Sequence, residues 1–424
     1  MKRHVKLLRL LLLTLLACAS SLLLTSCTSN ANPQSQSSKT ITFYSWDDPS
    51  VMASVIKAFE KDNPGYKISI SHKPPVDGYN QGLQTQLLSG TAADVFVMGA
   101  ENRINIMKSK SAVDLTNLPL NNNLNSANKT AYGENGKTYA ASISSWGGGI
   151  AYNEALLKKV GYTKFPNTWN GFIELCLKLK KAGVTPLYEG AQSGNFMVAY
   201  GLIGAHYNAN GGNQDNAIFA GKTTFSKQYA EPLNMWHELM AKNIYSSAVL
   251  GLSDDQIVNE FANGNVAMVG MGPWSIATVR KSNPKLKFKI APIPYQQAGQ
   301  EYLTGAPSPG YSINAAAKNK PAAEKFVTWM TTPAAAKVLN EGSAANNMYT
   351  TKGTEEINSK LDPALQPITK LVEAGKIYLP ATSYPEYQNQ MTQQLKTGLQ
   401  EVVQGKLTVK QLLQQMDDLL NGLR

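Results

Sequence analysis

Aromatic and amide side chains dominate the residues of this chain that could carry chemistry. Its 424 residues include 19 tyrosines and six tryptophans but only four histidines. Flat aromatic rings stack on the apolar C–H faces of sugar rings, and amide groups supply planar donors and acceptors for hydroxyl groups. The composition therefore favours binding of a polyhydroxylated solute over histidine-based catalysis.

Trp274 has the sequence surroundings that most favour a binding role. It follows the apolar segment VAMVGM, after Gly270, Gly272 and Pro273. A buried strand is expected to end here, the glycines allow backbone and ligand to approach closely, and the proline fixes the turn that aims the indole. The alternative is an indole packed in the core.

Two further residues, Trp46 and Asp47, end the first predicted strand. Open α/β sheets bind ligands at the carboxyl ends of their strands, so we expect both residues to contact ligand. Alternatively, Asp47 caps the helix that follows. The other tryptophans with apolar neighbours at helical spacing are expected in the core: Trp169, Trp236 and Trp329.

Strand-like and helix-like segments alternate along the chain, which predicts a parallel α/β layer. KTITFYSW, YKISISH and DVFVMG have strand composition, and the first helix between them opens at Pro49. Further along, Thr168 is expected to cap a helix that stops at Gly183, with Cys176 as a small buried residue on its apolar face. The roughly 385 residues after position 39 exceed one ordinary core and imply two lobes.

The N-terminus has the pattern of a lipoprotein export signal. Basic residues in the first nine positions precede an apolar run from about Leu7 to Leu24, and LTSC ends at Cys27. This segment resembles a bacterial lipobox, in which the cysteine is acylated and the peptide is cut before it. We expect a signal peptide over 1–26, a palmitate-type lipid on Cys27 and a polar tether over 27–39. The alternative is an uncleaved transmembrane anchor.

The surplus of positive charge does not indicate a nucleic-acid partner. The formal net charge is +11, but four of the 40 basic residues lie in the first nine positions. The others are scattered, without aromatic interleaving or a basic helix face. No metal or cofactor is expected, because the histidines lack metal-ligand spacing and AGKTT at 220–224 lacks the first glycine of a P-loop, where Asn216 stands.

Four ordered segments resemble the oligosaccharide-binding extracellular solute-binding proteins of ABC importers. They are SGTAADVFVMG, IAYNEALLKKVGYTKFPNTW, FANGNVAMVGMGPW and GYSINAAAKNKPAAEKFVTWM, and the resemblance covers nearly all of residues 40–424. It implies an α/β, two-lobed, class II periplasmic-binding-protein-like fold that holds ligand in the cleft between the lobes. The implied N-terminal lobe comprises 40–146 and 312–350, and the C-terminal lobe comprises 147–311 and 351–424.

The resemblance also implies a hinge that the chain crosses three times, near Trp146 to Gly149, near Ser308 to Tyr311 and around Tyr349. SSWGGGI and GAPSPGY are the two most Gly/Pro-rich apolar stretches. They support the first two crossings, because glycine permits the backbone changes that a hinge must absorb. We expect Tyr311, at the second crossing, to contact ligand.

The same resemblance suggests which other residues contact ligand. Relatives use the tryptophan that matches Trp274 as a stacking platform, and they place a sugar-bonding carboxylate at the position of Glu101. Trp146 stands where a relative has a contacting acid, so this chain offers stacking there and the ligand or its pose differs. The remaining expected contacts follow the strand-like segment TPLY: Glu189, Gln192 and Asn195.

The sequence therefore predicts a monomeric, lipid-anchored receptor on the outer face of the bacterial cell membrane, and no enzyme. It would capture an oligosaccharide and deliver it to the transmembrane subunits of an ABC permease. Two alternatives stay open. A secreted glycoside hydrolase would need two carboxylates that flank the scissile bond, and a binder of a charged solute such as a polyamine would need several charges in the cleft.

The lipobox resemblance can be tested by removing the thiol. Cys27→Ala is expected to abolish acylation, because the thioether to the lipid requires the sulfur atom. Metabolic labelling with a radioactive fatty acid measures the outcome, and Cys18→Ala serves as the control because that cysteine leaves with the signal. Label retained on the Cys27→Ala protein would refute the lipoprotein hypothesis.

Overall fold

The computed structural model of this protein describes residues 39–74, 77–342 and 347–424, which form a mixed α/β structure. The strands are β1 (Thr40–Ser45), β2 (Lys67–His72), β3 (Val95–Met98), β4 (Gly133–Glu134), β5 (Lys137–Thr138), β6 (Ser144–Asn153), β7 (Thr185–Tyr188), β8 (Val266–Met271), β9 (Phe288–Ala291), β10 (Leu303–Pro307), β11 (Gly310–Ile313), β12 (Met348–Tyr349) and β13 (Ile377–Tyr378).

The α-helices span Pro49–Asp62, Asp77–Ser89, Arg103–Lys108, Ser126–Ala131, Glu154–Lys159, Trp169–Lys181, Met197–Ala209, Asp215–Phe219, Phe225–Gln228, Ala230–Ala241, Asp254–Ala262, Ile276–Ser282, Lys320–Met330, Pro333–Gly342, Glu355–Asn358, Gln366–Glu373, Pro380–Ser383, Gln388–Val403 and Val409–Leu423. Short 3₁₀ helices span Pro119–Asn123, Ser247–Gly251, Pro273–Ser275 and Pro363–Leu365.

The predicted signal peptide and the lipid-bearing Cys27 lie outside the described residues, as does the tether up to position 38. Among the helices that the structure describes, none is both long enough and apolar enough to cross a lipid bilayer.

The first sheet has the strand order β11-β3-β1-β2. β1 pairs in parallel with β2 and β3, whereas β11 joins β3 antiparallel. β1 buries Ile41 and then Phe43 to Ser45, and β3 buries all four of its residues, as expected for a parallel strand covered on both faces. The predicted parallel layer is confirmed over β1 to β3, and β11 is an antiparallel addition to it.

The second sheet is built around β6, which has ten residues. Its strand order is β13-β10-β6-β8-β7, and β9 and β12 also pair with β6. The first half of β6 pairs antiparallel with β10 and β12, and the second half pairs antiparallel with β8 and β9. β6 thus joins two sets of pairing strands, which lie one after the other along its length.

Apolar side chains form separate clusters on the two sheets. The cluster on the first sheet takes its residues from 41–143, 311–336 and Tyr349. The two clusters on the second sheet take theirs from 150–303 and 348–420. Separate cores on two sheets agree with the predicted two-lobed fold, although the residue boundaries assigned to the lobes stay a prediction.

The buried guanidinium of Arg103 joins the elements packed on the first sheet to those packed on the second. Arg103 is 7% exposed, and it donates from Nη1 to the carbonyl of Ala131 at 3.0 Å and from Nη2 to the carbonyl of Tyr384 at 2.9 Å. Tyr384 packs in a cluster of the second sheet. Arg103 also lines a polar cavity of about 860 Å³, together with residues such as Asn213 and Ser383. Arg103 therefore links the two lobes through a hydrogen bond to one backbone carbonyl in each.

Several local predictions are confirmed. Thr168 caps the helix Trp169–Lys181 by accepting from the N–H of Gly171, and Cys176 is buried on that helix, which raises the pKa of its thiol. The three tryptophans expected in the core are buried, and each indole N–H donates to a carboxylate: Trp169 to Glu238, Trp236 to Glu189 and Trp329 to Asp62.

The three glycines of SSWGGGI lie inside β6, where close packing explains them. A Cβ at Gly147 would come within 3.0 Å of Val372, and one at Gly148 would come within 3.0 Å of Met197. A Cβ at Gly149 would overlap the carbonyl of Ala291 in β9. The sequence interpretation rested on the conformational freedom of glycine, but in this strand the space taken by neighbours is what excludes larger residues.

Gly149→Ala is expected to destabilise the fold. The added methyl group meets the backbone of Ala291, which is held in the sheet and cannot rotate away, so the free energy of unfolding should fall by about 1–3 kcal/mol. Urea denaturation measures this change. Gly251→Ala is the matched control, because a Cβ there has nothing within 4 Å. Equal stability of the two variants would contradict the packing explanation.

Glu189 corrects one of the ligand contacts expected from the sequence. It follows β7 but is fully buried, and its carboxylate accepts from the N–H of Val198 at 2.7 Å and from Trp236 Nε1 at 3.2 Å. Burial raises its pKa from 4.5 to about 7, against the opposing effect of these two hydrogen bonds. The side chain turns inward because the first turn of the helix Met197–Ala209 offers a donor that has no partner within the helix.

Glu189 makes stability depend on pH near neutrality. Because the pKa is raised in the folded state, its contribution is fully present below pH 4.5 and is lost as pH rises to about 7. Glu189→Gln should remove this part of the decline in the free energy of unfolding, as measured by urea denaturation across that range. Glu355→Gln, at an exposed carboxylate, serves as the control. Parallel pH profiles for wild type and Glu189→Gln would refute this assignment.

Candidate ligand-binding cleft

A cavity of about 330 Å³ opens where strand ends of the first sheet face β6 and the end of β8. The segments that reach it include the turn after β1, the start of β6, the turn after β8, the start of β11 and β12. The residues that line it are Trp46, Asp47, Val51, Val97, Ile143, Ser144, Trp146, Pro273, Trp274, Ser308, Pro309, Tyr311, Leu339, Asn347 and Tyr349.

Trp274 projects into this cavity from the turn after β8. Pro273 is buried and opens a 3₁₀ turn, so the chain direction changes directly before the indole. The side chain of Trp274 is 47% exposed, which is unusual for so large an apolar group. The ring of Trp146 lies against it, with centroids 5.1 Å apart and planes at 74°. The structure therefore brings the two tryptophans into direct edge contact on one wall.

Trp46 and Asp47 line the cavity from the turn after β1. The ring of Trp46 makes a perpendicular contact with Tyr79, with centroids 5.9 Å apart. The hydroxyl of Tyr79 accepts from the N–H of Val97, which fixes that ring. Tyr79 thus holds the ring of Trp46 in place.

The carboxylate of Asp47 faces the cavity, and the alternative assignment as a helix cap is wrong. Asp48 caps the helix Pro49–Asp62, because its Oδ1 accepts from the N–H of Ser50 at 2.8 Å. Burial raises the pKa of Asp47, and the charge of His72 partly opposes this shift. Among the described residues, no hydrogen bond to the side-chain oxygens of Asp47 is found, so both oxygens can accept from a ligand.

Two tyrosines also line the cavity, one from a strand of each sheet. Tyr311 lies in β11, opposite Val97, and Tyr349 lies in β12, opposite Ser144. Burial raises the pKa of both hydroxyls, so both are neutral at physiological pH and can donate or accept a hydrogen bond. Tyr311 was expected from the sequence. Tyr349 was expected only as a crossing point, although its phenol on a crossing strand could have signalled a contact.

Glu101 lies next to the cavity but does not line it. Its Oε2 is 3.0 Å from the position that a Cβ on Gly99 would take, and the ring of Trp46 is 3.3 Å from the same position. The carboxylate and the indole thus flank one backbone segment. The role of Glu101 as a ligand contact stays a prediction.

Gln192 and Asn195 lie apart from the cavity wall. Gln192 is exposed, and its backbone carbonyl accepts from the side-chain amide of Gln400. Trp274, Asn195 and Gly190 together line a separate small recess. With Glu189 buried, none of the described residues that line the cavity comes from the loop after β7.

Comparison with known proteins agrees with the family resemblance of the four sequence segments. Residues 45–337 match the family model described as bacterial extracellular solute-binding protein. The multiple sugar-binding protein of Streptococcus mutans is 27% identical over 85% of this chain and 86% of its own length. A maltooligosaccharide ABC transporter solute-binding lipoprotein of Streptococcus pneumoniae is 25% identical over 86% of this chain and 88% of its own length.

A solved structure supports the same conclusion. The family 1 extracellular solute-binding protein from Bifidobacterium longum subsp. infantis superposes with a TM-score of 0.78, at 28% identity, over 89% of this chain and 98% of its own. The family expected from the four sequence segments is thus confirmed. Because the family model matches well over half of the chain, this protein belongs to the bacterial extracellular solute-binding proteins.

Proposed function

We propose that this protein captures an oligosaccharide in the cleft between its lobes and delivers it to an ABC importer. The observation that carries the proposal is the 47% exposed indole of Trp274 in a cavity that Trp46 and Trp146 also line. An indole of this size is seldom left in contact with water unless something binds it. Sugar rings present the flat C–H faces that such indoles contact.

The polar groups of the cavity suit a neutral ligand with many hydroxyl groups. Asp47 supplies acceptors, and Tyr311 and Tyr349 supply hydroxyls that can donate or accept. Among the described residues that line the cavity, Asp47 is the one ionisable carboxylate and no lysine or arginine appears. A polyamine would need several carboxylates, and a glycosidase would need two carboxylates across the bond, so both alternatives are less well supported.

The relatives and the N-terminal sequence support the proposal of a lipid anchor and a membrane partner. The similar maltooligosaccharide protein of Streptococcus pneumoniae is described as a lipoprotein of an ABC transporter. This chain has Cys27 in the matching chemical context, a lipobox-like LTSC. We therefore infer a monomeric receptor, held by a lipid on Cys27 at the outer face of the membrane, that docks on the transmembrane subunits of its permease.

Trp274→Ala is expected to weaken saccharide binding without unfolding the protein. Loss of a desolvated aromatic anchor should reduce the binding free energy by at least about 2 kcal/mol, roughly thirtyfold in Kd. Isothermal titration with raffinose, stachyose and maltotriose measures affinity, and the melting temperature of the ligand-free protein should barely change because the indole is half exposed.

Two control variants separate binding from folding. Trp236→Ala removes a fully buried indole and should lower the free energy of unfolding by about 3–5 kcal/mol. Leu88→Ala removes an 82% exposed side chain that does not line the cavity and should change neither affinity nor stability. Unchanged affinity in a folded Trp274→Ala protein would exclude this tryptophan from the site. Failure of the wild type to bind any saccharide would refute the proposed ligand class.

A further inference from the structure

The indole of Trp274 rests on the backbone of Gly272. A Cβ built on Gly272 would lie under 3.0 Å from three consecutive carbon atoms of the six-membered ring, Cζ2, Cη2 and Cζ3. Contacts with three adjacent ring atoms place the face of the ring, and not merely its edge, over the glycine. The ring therefore occupies the space that any other residue at position 272 would fill with its side chain.

Backbone conformation does not explain why glycine stands at position 272. Its φ of −105° and ψ of 178° are extended values that any residue adopts. Nor does the glycine leave room for a ligand, as its sequence context suggested, because Trp274 itself takes that room. The close approach of the indole is the physical reason for the missing side chain.

Trp46 has the same arrangement in the first sheet. A Cβ on Gly99 would lie 3.0 Å from Oε2 of Glu101, and 3.3 Å from Cζ3 and 3.7 Å from Cη2 of Trp46, so its contact with the indole is tighter than usual but is not an overlap. Each indole also has one perpendicular aromatic neighbour, Tyr79 for Trp46 and Trp146 for Trp274. Both tryptophans are therefore fixed by a glycine that follows a strand and by an aromatic ring at a steep angle.

We propose that Gly272 is a positioning residue for ligand recognition, and that Gly99 plays the same part for Trp46 with a looser contact. A methyl group on residue 272 must displace the ring, because the ring is the end of a side chain whereas Pro273 and the pairing of Met271 with Gly149 hold the backbone. The fold should persist while the stacking surface moves. The ligand part of this inference rests on the proposed function; the seating of the indole does not.

The experiment compares Gly272→Ala, Gly99→Ala, Trp274→Ala and the double variant Gly272→Ala/Trp274→Ala. Gly251→Ala is the matched control, since a methyl group there meets nothing within 4 Å. Affinity is measured by isothermal titration with whichever of raffinose, stachyose and maltotriose binds the wild type. Near-ultraviolet circular dichroism of the ligand-free proteins reports the relative orientation of the Trp146 and Trp274 indoles, which are close enough to couple.

Gly272→Ala is expected to lose at least about tenfold in affinity and to alter the near-ultraviolet spectrum, with little change in melting temperature. Gly99→Ala should lose less affinity, because its contact is longer. In the Trp274→Ala background the second substitution at 272 should have no further effect on binding. Gly251→Ala should behave as wild type in every measurement.

Three outcomes would overturn the inference. The first is wild-type affinity and an unchanged spectrum in Gly272→Ala. The second is an additive loss in the double variant. The third is a Gly272→Ala protein that does not fold and is not rescued by Trp274→Ala, since the backbone would then require glycine. If the wild type binds no saccharide of the panel, the proposed function fails separately, and the spectrum of ligand-free Gly272→Ala still decides whether the glycine seats the indole.

Discussion

The hydrogen-bond ladder of β6 is the constraint on which the rest of this structure depends. Its two halves pair with different strands, so the register of ten residues fixes the second sheet and the direction in which Trp146 points. Trp146 stands opposite Ala306 in β10. A slip of one residue would turn the indole to the other face of the sheet and leave the cavity without one wall.

The side chains that line the cavity are suited to binding a ligand, but leaving them without one lowers the stability of the free protein. Keeping nearly half of Trp274 in water forgoes the stabilisation that burial of an indole normally brings. Holding a carboxylate such as Asp47 partly buried, with no hydrogen bond to its side-chain oxygens from any residue that the structure describes, is also unfavourable, as the upward shift of its pKa indicates. A ligand that covers the ring and donates to the carboxylate removes both penalties at once.

Local patterns in the sequence were sufficient for features that depend on neighbouring residues. Strand composition predicted β1 to β3, and the helix cap at Thr168 follows from the type and spacing of a few residues. Trp46 and Trp274 were placed on the cavity because strand ends in open sheets are where ligands bind. The family resemblance then supplied the two-lobed arrangement, which composition and periodicity alone do not specify.

The features that sequence reasoning missed depend on partners far away in the chain. Glu189 turns inward to accept from the N–H of Val198 and from the indole N–H of Trp236, 47 positions later, and no local pattern records the second pairing. Gly149 was interpreted through backbone freedom because its actual neighbour, Ala291, belongs to a strand more than a hundred residues later. Tyr349 reaches the cavity from a two-residue strand, which is too short to leave a periodic signal.

Because of Arg103, a movement that separates the lobes at this contact should depend on hydration. Its guanidinium is buried and is held by the carbonyls of Ala131 and Tyr384, one from each group of elements. A movement that separates these carbonyls leaves a buried cation short of an acceptor, which is strongly unfavourable until solvent replaces the lost bond. If the lobes move at this contact, we expect water to enter beside Arg103, so that the equilibrium of the movement would depend on water activity and respond to osmotic pressure.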